Sequence, residues 1–277
     1  MQAEGSEAGI TRRGLLIGAA GVGVVVAAGG VGYAAVPSRW KQRLGIGGED
    51  WFIPNAPKGQ FHLETVHSDA RGTDVELFTA VPDGYGDGAG LPVVIVLHGG
   101  TGRPHDYEGF GFPQFVTQSV SDGNEPFVLA GADSGVLGWQ PSGSDDPQAM
   151  VVEEMPQWLA DRGYDADRRV LWGWSLGGRG SLLLAEAYPD YARSVAAFSP
   201  ALQDGDKAFD GVEALADVPL AIWCGTEDMF YDNDRAFVAA LSPKPEIVTY
   251  APGAHTRYFW NNHTLEAFKF CAEHLST

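Results

Sequence analysis

Short, continuous apolar runs of four or five residues recur between residues 93 and 250. Runs of this kind are typical of strands that are buried on both faces of a sheet. The predicted strands are Val93–Leu97, Phe127–Ala130, Val170–Trp174, Val195–Phe198, Leu220–Cys224 and Ile247–Tyr250. Two earlier runs, Phe61–His67 and Val75–Val81, alternate apolar with polar residues around a polar turn. They predict an antiparallel strand pair at the sheet edge.

Segments with helical spacing of apolar residues follow several of these runs. The predicted helices are Gln148–Arg162, Leu176–Tyr188, Arg235–Leu241 and Tyr258–Leu275. Because strand and helix alternate, we expect an α/β fold with a mostly parallel central sheet and helices on both faces. Residues 61–277 then form one catalytic domain, and the proline-containing segment 37–60 is a linker that lies over its surface.

The first 36 residues have a different character. From Leu15 to Val36 the chain holds 22 residues without a charge, preceded by Arg12 and Arg13. This order is typical of a twin-arginine export signal. The uncharged stretch is also long enough to span a bilayer at about 1.5 Å per residue. We therefore predict a signal read by the twin-arginine export machinery, with a retained membrane anchor through residues 15–36 as the alternative. The product would be secreted or associated with the cell envelope.

Charge and cysteine content narrow the possible functions. The chain holds 18 Lys+Arg against 36 Asp+Glu, a net charge of -18, so most of its surface would repel nucleic acid. Cys224 and Cys271 lie far apart and form no CxxC pair, which excludes a disulfide scaffold and a thiolate zinc site. Unpaired buried cysteines are favoured over a disulfide between the two.

A candidate nucleophile follows the predicted strand that ends at Trp174. Gly173-Trp174-Ser175-Leu176-Gly177 has the GxSxG pattern, and a predicted helix begins directly after the serine. Strand, tight turn and helix are the context in which this motif exposes a reactive hydroxyl. The sequence therefore predicts Ser175 as a nucleophile.

A glycine-rich segment is the candidate for oxyanion binding. Val93–Leu97 runs directly into His98-Gly99-Gly100-Thr101-Gly102. Backbone amides of such a loop, together with the amide after the nucleophile, stabilise the oxyanion of a tetrahedral intermediate. We expect these donors to be Leu176 and either Gly100 or Thr101. His98 is expected to fix the loop through hydrogen bonds.

A serine nucleophile needs an imidazole base and an acid that orients it. Among seven histidines, His255 directly follows the last predicted strand. Asp228 comes a few residues after the strand that ends at Cys224 and is the favoured acid. The acids that remain in competition are Glu227 and Asp232, with Asp204 and Asp206 less favoured because they lie in a polar turn.

Several of these segments together resemble one family. They are Gly173–Ser181, Tyr188-Pro189 and Ala197–Pro200, with His98–Gly100, Gly225–Asp228 and Gly253–His255 in matching order. The chain from about residue 61 to 275 is similar to the putative-esterase family of α/β-hydrolases, which includes esterase D and the mycobacterial antigen 85 acyltransferases. The resemblance implies an α/β-hydrolase fold and ester hydrolysis or acyl transfer through an acyl-serine, without metal or cofactor.

The resemblance is incomplete in places that concern the substrate. Arg179 stands where the family often has an aromatic residue, and Ser181 where it often has alanine. Trp174, before the nucleophile, and Trp139 are candidate substrate contacts, and a packing role for Trp139 is equally consistent. The polar segment 136–148 is a candidate flexible cover over the site.

These observations predict an exported serine hydrolase that cleaves small-molecule, lipid or glycan esters. Because hydrolysis and transfer share one intermediate, a cell-envelope acyltransferase remains an alternative. A serine peptidase or amidase on the same fold and a non-catalytic envelope binding protein are further alternatives.

Overall fold

The computed structural model describes residues 51–100, 102–136 and 138–276. An eight-stranded sheet runs through this part of the chain. Its strands are β1 (Gln60–Ser68), β2 (Thr73–Val81), β3 (Pro92–Leu97), β4 (Val128–Ala132), β5 (Asp165–Trp174), β6 (Val195–Phe198), β7 (Leu220–Gly225) and β8 (Ile247–Ala251).

The strands lie side by side in the order β1-β2-β4-β3-β5-β6-β7-β8. The pairs β1–β2 and β2–β4 are antiparallel. Every other neighbouring pair is parallel. The predicted fold class, a mostly parallel sheet with an antiparallel pair at its amino-terminal edge, is confirmed. In such a sheet the loops after the carboxyl ends of the strands form the site.

Helices cover both faces of the sheet. They are α1 (Phe112–Ser121), α2 (Pro147–Ala149), α3 (Met155–Ala160), α4 (Leu176–Ala187), α5 (Tyr231–Ala240) and α6 (Arg257–Leu275). Short 3-10 turns occupy Pro104–Asp106, Lys207–Phe209 and Val212–Leu215. Helices α1 and α6 share one apolar cluster with the sheet, and α3, α4 and α5 share the other.

The two clusters arise from the alternation of side chains along each strand. In β3, Val93, Ile95 and Leu97 belong to the cluster under α4, while Val94 and Val96 belong to the cluster under α6. All five side chains are fully buried. Continuous apolar composition therefore indicates burial on both faces, as the sequence predicts for the central strands.

Some boundaries differ from the prediction. Helix α1 was not predicted, although Pro113 suits the first turn of a helix. The predicted helix over Gln148–Arg162 is broken by a π segment at Met150–Glu154. Pro156 accounts for this break, because it has no N–H to donate into the preceding turn. Strand β5 begins at Asp165, five residues before the apolar run.

Residues 51–59 lie against the α1–α6 face. The ring of Phe52 packs edge-on against Phe115 at 5.8 Å, and the Asn261 side chain donates to the Phe52 carbonyl at 2.9 Å. The predicted export signal at 1–36 and most of the predicted linker lie outside the described residues. Within the described part of the chain, no helix is long and apolar enough to cross a bilayer.

Candidate active site

Ser175 occupies a sharp turn between β5 and α4. Its φ of 57° and ψ of -122° are strained for a residue with a side chain. Its amide donates to the Phe198 carbonyl at 2.9 Å, which fixes the turn on the neighbouring strand. A Cβ on Gly173 would lie 2.5 Å from the Gly177 carbonyl oxygen, and one on Gly177 would overlap the Leu97 carbonyl. The glycines of the motif are thus required by close backbone contacts.

His255 lies in the loop after β8 and bridges two other predicted residues. Its Nε2 lies 2.8 Å from Ser175 Oγ, and its Nδ1 lies 2.9 Å from Asp228 Oδ2. In the tautomer that this geometry favours, Nδ1–H donates to the carboxylate and Nε2 accepts from the serine hydroxyl. The structure therefore brings the three residues of the predicted triad into one hydrogen-bonded chain.

Asp228 follows β7 and its side chain is completely buried. Besides His255, its Oδ1 accepts a hydrogen bond from the Phe230 amide at 3.0 Å. The competing acids are placed elsewhere: Glu227 and Asp232 are exposed, and Asp206 forms an ion pair with Arg179. Asp204 is also exposed. The carboxylate that reaches the His255 ring is that of Asp228.

The predicted oxyanion donors come from two elements that meet beside Ser175. Leu176 begins α4, where a backbone amide has no acceptor within the helix. A Cβ on Gly100 would lie 2.9 Å from Leu176 Cδ1, and one on Gly99 would lie 3.2 Å from Ser175 Cβ. The glycine-rich loop therefore lies directly against the nucleophile. Thr101, the alternative donor, lies outside the described residues.

His98 stabilises this glycine-rich loop through hydrogen bonds. Its buried ring donates through Nδ1 to the Gly99 carbonyl at 2.7 Å and accepts the Ser134 amide on Nε2 at 3.0 Å. Asp133 lies 3.2 Å from the same Nε2. Burial alone would raise the pKa of Asp133, but the neighbouring His98 side chain and a hydrogen bond from the Gly135 amide lower it overall. Asp133 is therefore held as a carboxylate beneath the loop.

The two tryptophans predicted as substrate contacts are both buried. Trp139 is 1% exposed, and its Nε1–H donates to the His98 carbonyl at 2.9 Å. Trp174 is 2% exposed and packs among the aromatic rings under α6. In β5 its side chain points into that layer and away from the solvent-facing surface of the turn. The burial of Trp139 agrees with the packing role left open above, and its hydrogen bond supports the oxyanion loop. The burial of Trp174 argues against a direct substrate contact, because its ring packs beneath the same loop.

Two residues beside His255 were not assigned to the site from sequence. The ring of Trp260 lies 4.9 Å from the imidazole, and that of Phe230 lies 5.1 Å from it, both edge-to-face. Trp260 Nε1 also donates to Ser199 Oγ at 3.1 Å. Trp260 falls within the predicted helix Tyr258–Leu275. Its position five residues after His255 is the signal for its second contact.

The segment predicted as a flexible cover is fastened at both ends. Trp139 is held in the core, and near the other end Arg71 forms an ion pair with Asp145. The Asp146 amide donates to the Ala70 carbonyl at 2.9 Å. Leu137, within this segment, lies outside the described residues. These contacts argue against a cover that moves as a whole.

The two cysteines are both buried and both free. Burial is the main cause that raises the thiol pKa of each far above its ordinary value. In the described part of the chain, no group of three or more His, Cys, Asp or Glu side chains is arranged to hold a metal ion.

The fold and these residues define an α/β-hydrolase with a serine nucleophile. A family model described as "Putative esterase" matches residues 68–269. The chain belongs to this family and is a serine hydrolase of carboxylic esters. No curated protein matches the sequence.

Solved structures share the fold at low sequence identity. A ferulic acid esterase matches with a TM-score of 0.69 and 16% identity, covering 78% of this chain and 98% of its own. The S-formylglutathione hydrolase of Agrobacterium tumefaciens matches with 0.66 and 18%, covering 80% and 98%. MPT51 of Mycobacterium tuberculosis matches with 0.61 and 15%, covering 78% and 99%. At these identities the likeness shows the fold alone.

Proposed function

We propose that this chain cleaves carboxylic esters through an acyl intermediate on Ser175, with His255 as base and Asp228 as its orienting acid. The observation that carries the proposal is the position of His255, 2.8 Å from the serine hydroxyl and 2.9 Å from a buried carboxylate. An imidazole held in this way takes the proton of a serine hydroxyl and stabilises the imidazolium that forms.

In the first half-reaction, Ser175 Oγ forms a bond to the ester carbonyl carbon while its proton moves to His255 Nε2. The carbonyl oxygen becomes an oxyanion, which the amides of Leu176 and Gly100 stabilise. Removing one such donor costs about 3 kcal/mol of barrier in comparable sites. The bond between carbonyl carbon and alcohol oxygen then breaks, and the imidazolium returns the proton to the leaving alcohol.

In the second half-reaction, water attacks the acyl-serine and His255 takes its proton. Collapse of the second tetrahedral intermediate releases the acid and restores the serine hydroxyl. If an alcohol replaces water, the same steps give acyl transfer. The exposed position of Gly100 at the rim of the site allows either acceptor to approach.

The experiment that tests this activity is hydrolysis of p-nitrophenyl esters, from acetate to palmitate, by the full-length protein. We expect wild type to show a maximum rate at one acyl length and Ser175→Ala to lose about 10⁵-fold or more in kcat. Far-ultraviolet circular dichroism of both proteins is the control for folding.

Equal rates in wild type and Ser175→Ala would contradict the proposal. A wild type that is labelled at Ser175 by an activated ester, yet turns over only when an alcohol is added, would identify an acyltransferase. Retained ligand binding without turnover in either protein would identify a binding protein.

We further propose that residues 1–36 direct export, on the strength of Arg12 and Arg13 before an uncharged stretch of 22 residues. Replacing both arginines with lysine is expected to retain esterase activity in the cytoplasm of an expressing bacterium with a twin-arginine system. The matched control is Arg43→Lys, which should leave the distribution unchanged. Normal export of the double variant would contradict a twin-arginine route.

A further inference from the structure

Arg257 begins α6 two residues after His255 and is stacked among aromatic rings. Its guanidinium carbon lies 3.9 Å from the ring centre of Phe110, 4.3 Å from that of Trp174 and 5.1 Å from that of Trp260. Phe112 is a fourth ring, at 5.5 Å. We call Phe110, Phe112, Trp174 and Trp260 the aromatic cage. Such rings attract a cation through their faces, but they supply no hydrogen-bond acceptor in the guanidinium plane.

No carboxylate pairs with this guanidinium in the described part of the chain. Other described arginines do form ion pairs, namely Arg71, Arg103, Arg162, Arg168, Arg169 and Arg179. Arg257 Nη1 is buried and has no hydrogen-bond partner. Acids are not scarce in this chain, which holds twice as many acidic as basic residues. Arg257 therefore lacks a carboxylate partner because of its immediate surroundings, and not because the chain has few acids.

Asp106 is the acid whose charge acts on Arg257. Its Oδ2 instead accepts the Arg103 amide at 2.9 Å, at the start of the 3-10 turn Pro104–Asp106. Burial lowers the pKa of Arg257 to about 9, so the group is still a cation at neutral pH. A buried charge without a partner is costly, and the stacked rings offset only part of that cost.

Tyr107 adds a second donor without an acceptor. Its side chain is fully buried, and its hydroxyl has no hydrogen-bond partner. Its ring packs against Phe110, Phe112 and Trp174, which are the rings that surround Arg257. A guanidinium and a phenol that share one set of rings thus both have an unused hydrogen-bond donor.

The cage adjoins the reacting groups on both sides. Trp174 directly precedes Ser175, and a Cβ on Gly99 of the oxyanion loop would lie 2.7 Å from its Nε1. Trp260 packs edge-to-face on His255 at 4.9 Å. Arg257 is also the first residue of α6, so it lies at the positive end of the helix dipole.

We propose that Arg257 in the aromatic cage is a specificity-determining residue that binds a carboxylate of the ester substrate. A single anion matches the single cation. Its oxygens meet the part of Arg257 that stays accessible, since the residue is half-buried while its Nη1 and the Tyr107 hydroxyl are fully buried. The inference rests on the proposed function, since it names the kind of ester that the Ser175 site prefers: one that bears a carboxylate on its acyl or alcohol part.

The test compares two pairs of esters in the full-length protein. Mono(4-nitrophenyl) glutarate and its neutral methyl ester place the charge on the acyl side. 4-Acetoxybenzoate and its methyl ester place it on the alcohol side. In at least one pair, wild type is expected to prefer the anionic member by about tenfold or more in kcat/KM, the usual size of a hydrogen bond to a charged group.

Arg257→Gln is expected to lower that preference ratio about tenfold or more, and Arg257→Lys to keep part of it. The matched control is Arg235→Gln, an exposed arginine on α5 without an ion pair, which should leave the ratio unchanged. Using the ratio within each protein separates recognition of the anion from any general loss of activity.

A wild type that hydrolyses the neutral esters but prefers neither anionic member would overturn this inference while leaving the proposed function intact. That comparison needs no variant, so it holds even if Arg257→Gln fails to fold. A preference that persists unchanged in Arg257→Gln would overturn it as well. Absence of hydrolysis of all four esters would instead contradict the proposed function.

Discussion

Two buried aspartates, six residues apart on the loop and helix after β7, have opposite surroundings. Asp228 accepts hydrogen bonds from the His255 ring and from the Phe230 amide. Asp234, on the buried side of α5, is 0% exposed and neither of its carboxylate oxygens has a hydrogen-bond partner. The same side chain thus has two strong hydrogen-bond donors at one position and only the weak donor of the Cys224 thiol at the other.

The surroundings of Asp234 determine the charge of its carboxyl group. Burial raises the pKa of Asp234 to about 8, with the Cys224 thiol opposing the rise and the charge of Asp228 adding to it. Asp234 is therefore a neutral acid at pH 7. A buried carboxyl that lacks strong hydrogen-bond donors is more stable protonated, which is the state of Asp234.

The largest expected effect comes from removing the charge at the partnered position. Asp228→Asn should lower kcat for p-nitrophenyl acetate by about 10³- to 10⁴-fold, because an amide no longer fixes the His255 tautomer or stabilises the imidazolium. Steady-state rates at pH 7.5 measure it.

The matched control is Asp234→Asn, which replaces a neutral acid by a neutral amide of the same shape. Its kcat should stay within about threefold of wild type, since it leaves every hydrogen bond of the triad in place. Similar losses of kcat in Asp228→Asn and Asp234→Asn would contradict the conclusion that only Asp228 acts in catalysis.

The next effect is on stability, and here the change is expected at Asp234. The folded-state pKa of Asp234 is raised from 3.8 to about 8, so between these values the folded protein binds a proton that the unfolded chain has lost. Its contribution to stability is present below the unfolded pKa and is lost as pH rises toward 8. Asp234→Asn should remove a slope of up to about 1.4 kcal/mol per pH unit.

Urea unfolding of wild type and Asp234→Asn at pH 5, 6, 7 and 8 measures this difference in slope. The variant is expected to gain most over wild type at pH 8. Parallel curves of unfolding free energy against pH in the two proteins would mean that Asp234 is ionised, or partnered, in the folded state.

The smallest effect tests the support of the oxyanion loop. Trp139→Phe keeps an aromatic ring at this buried position but removes part of the indole, including the Nε1–H that donates to the His98 carbonyl. One neutral hydrogen bond contributes about 1 kcal/mol, so kcat should fall about fivefold and KM should change little. Trp158→Phe, on α3, is the control and should have no effect on kcat. An unchanged kcat in Trp139→Phe would show that this hydrogen bond does not affect catalysis.

Sequence predicted what depends on local order along the chain. The apolar runs marked the central strands, and chain order after three strand ends predicted that Ser175, Asp228 and His255 lie together. Each of these signals is contained within a few neighbouring residues. The α/β class follows from the alternation of strands and helices, and the α/β-hydrolase fold from the resemblance to the putative-esterase family.

What sequence could not predict depends on contacts between distant segments. The cage around Arg257 joins residues 110, 112, 174 and 260, and no local pattern indicates that they meet. The burial of Trp139 and the isolation of Asp234 likewise follow only from packing. Helix α1 was missed because Gly111 and Pro113 resemble loop residues, although both suit the start of a helix.

In the proposed mechanism, Ser175 carries the acyl group during turnover. Rapid quenching of full-length protein mixed with p-nitrophenyl acetate, followed by peptide mass spectrometry, measures this directly. We expect a burst of p-nitrophenolate matched by acetyl on the peptide that contains Ser175, and neither signal in Ser175→Ala. Acetyl on another residue, or turnover that persists in Ser175→Ala, would contradict it.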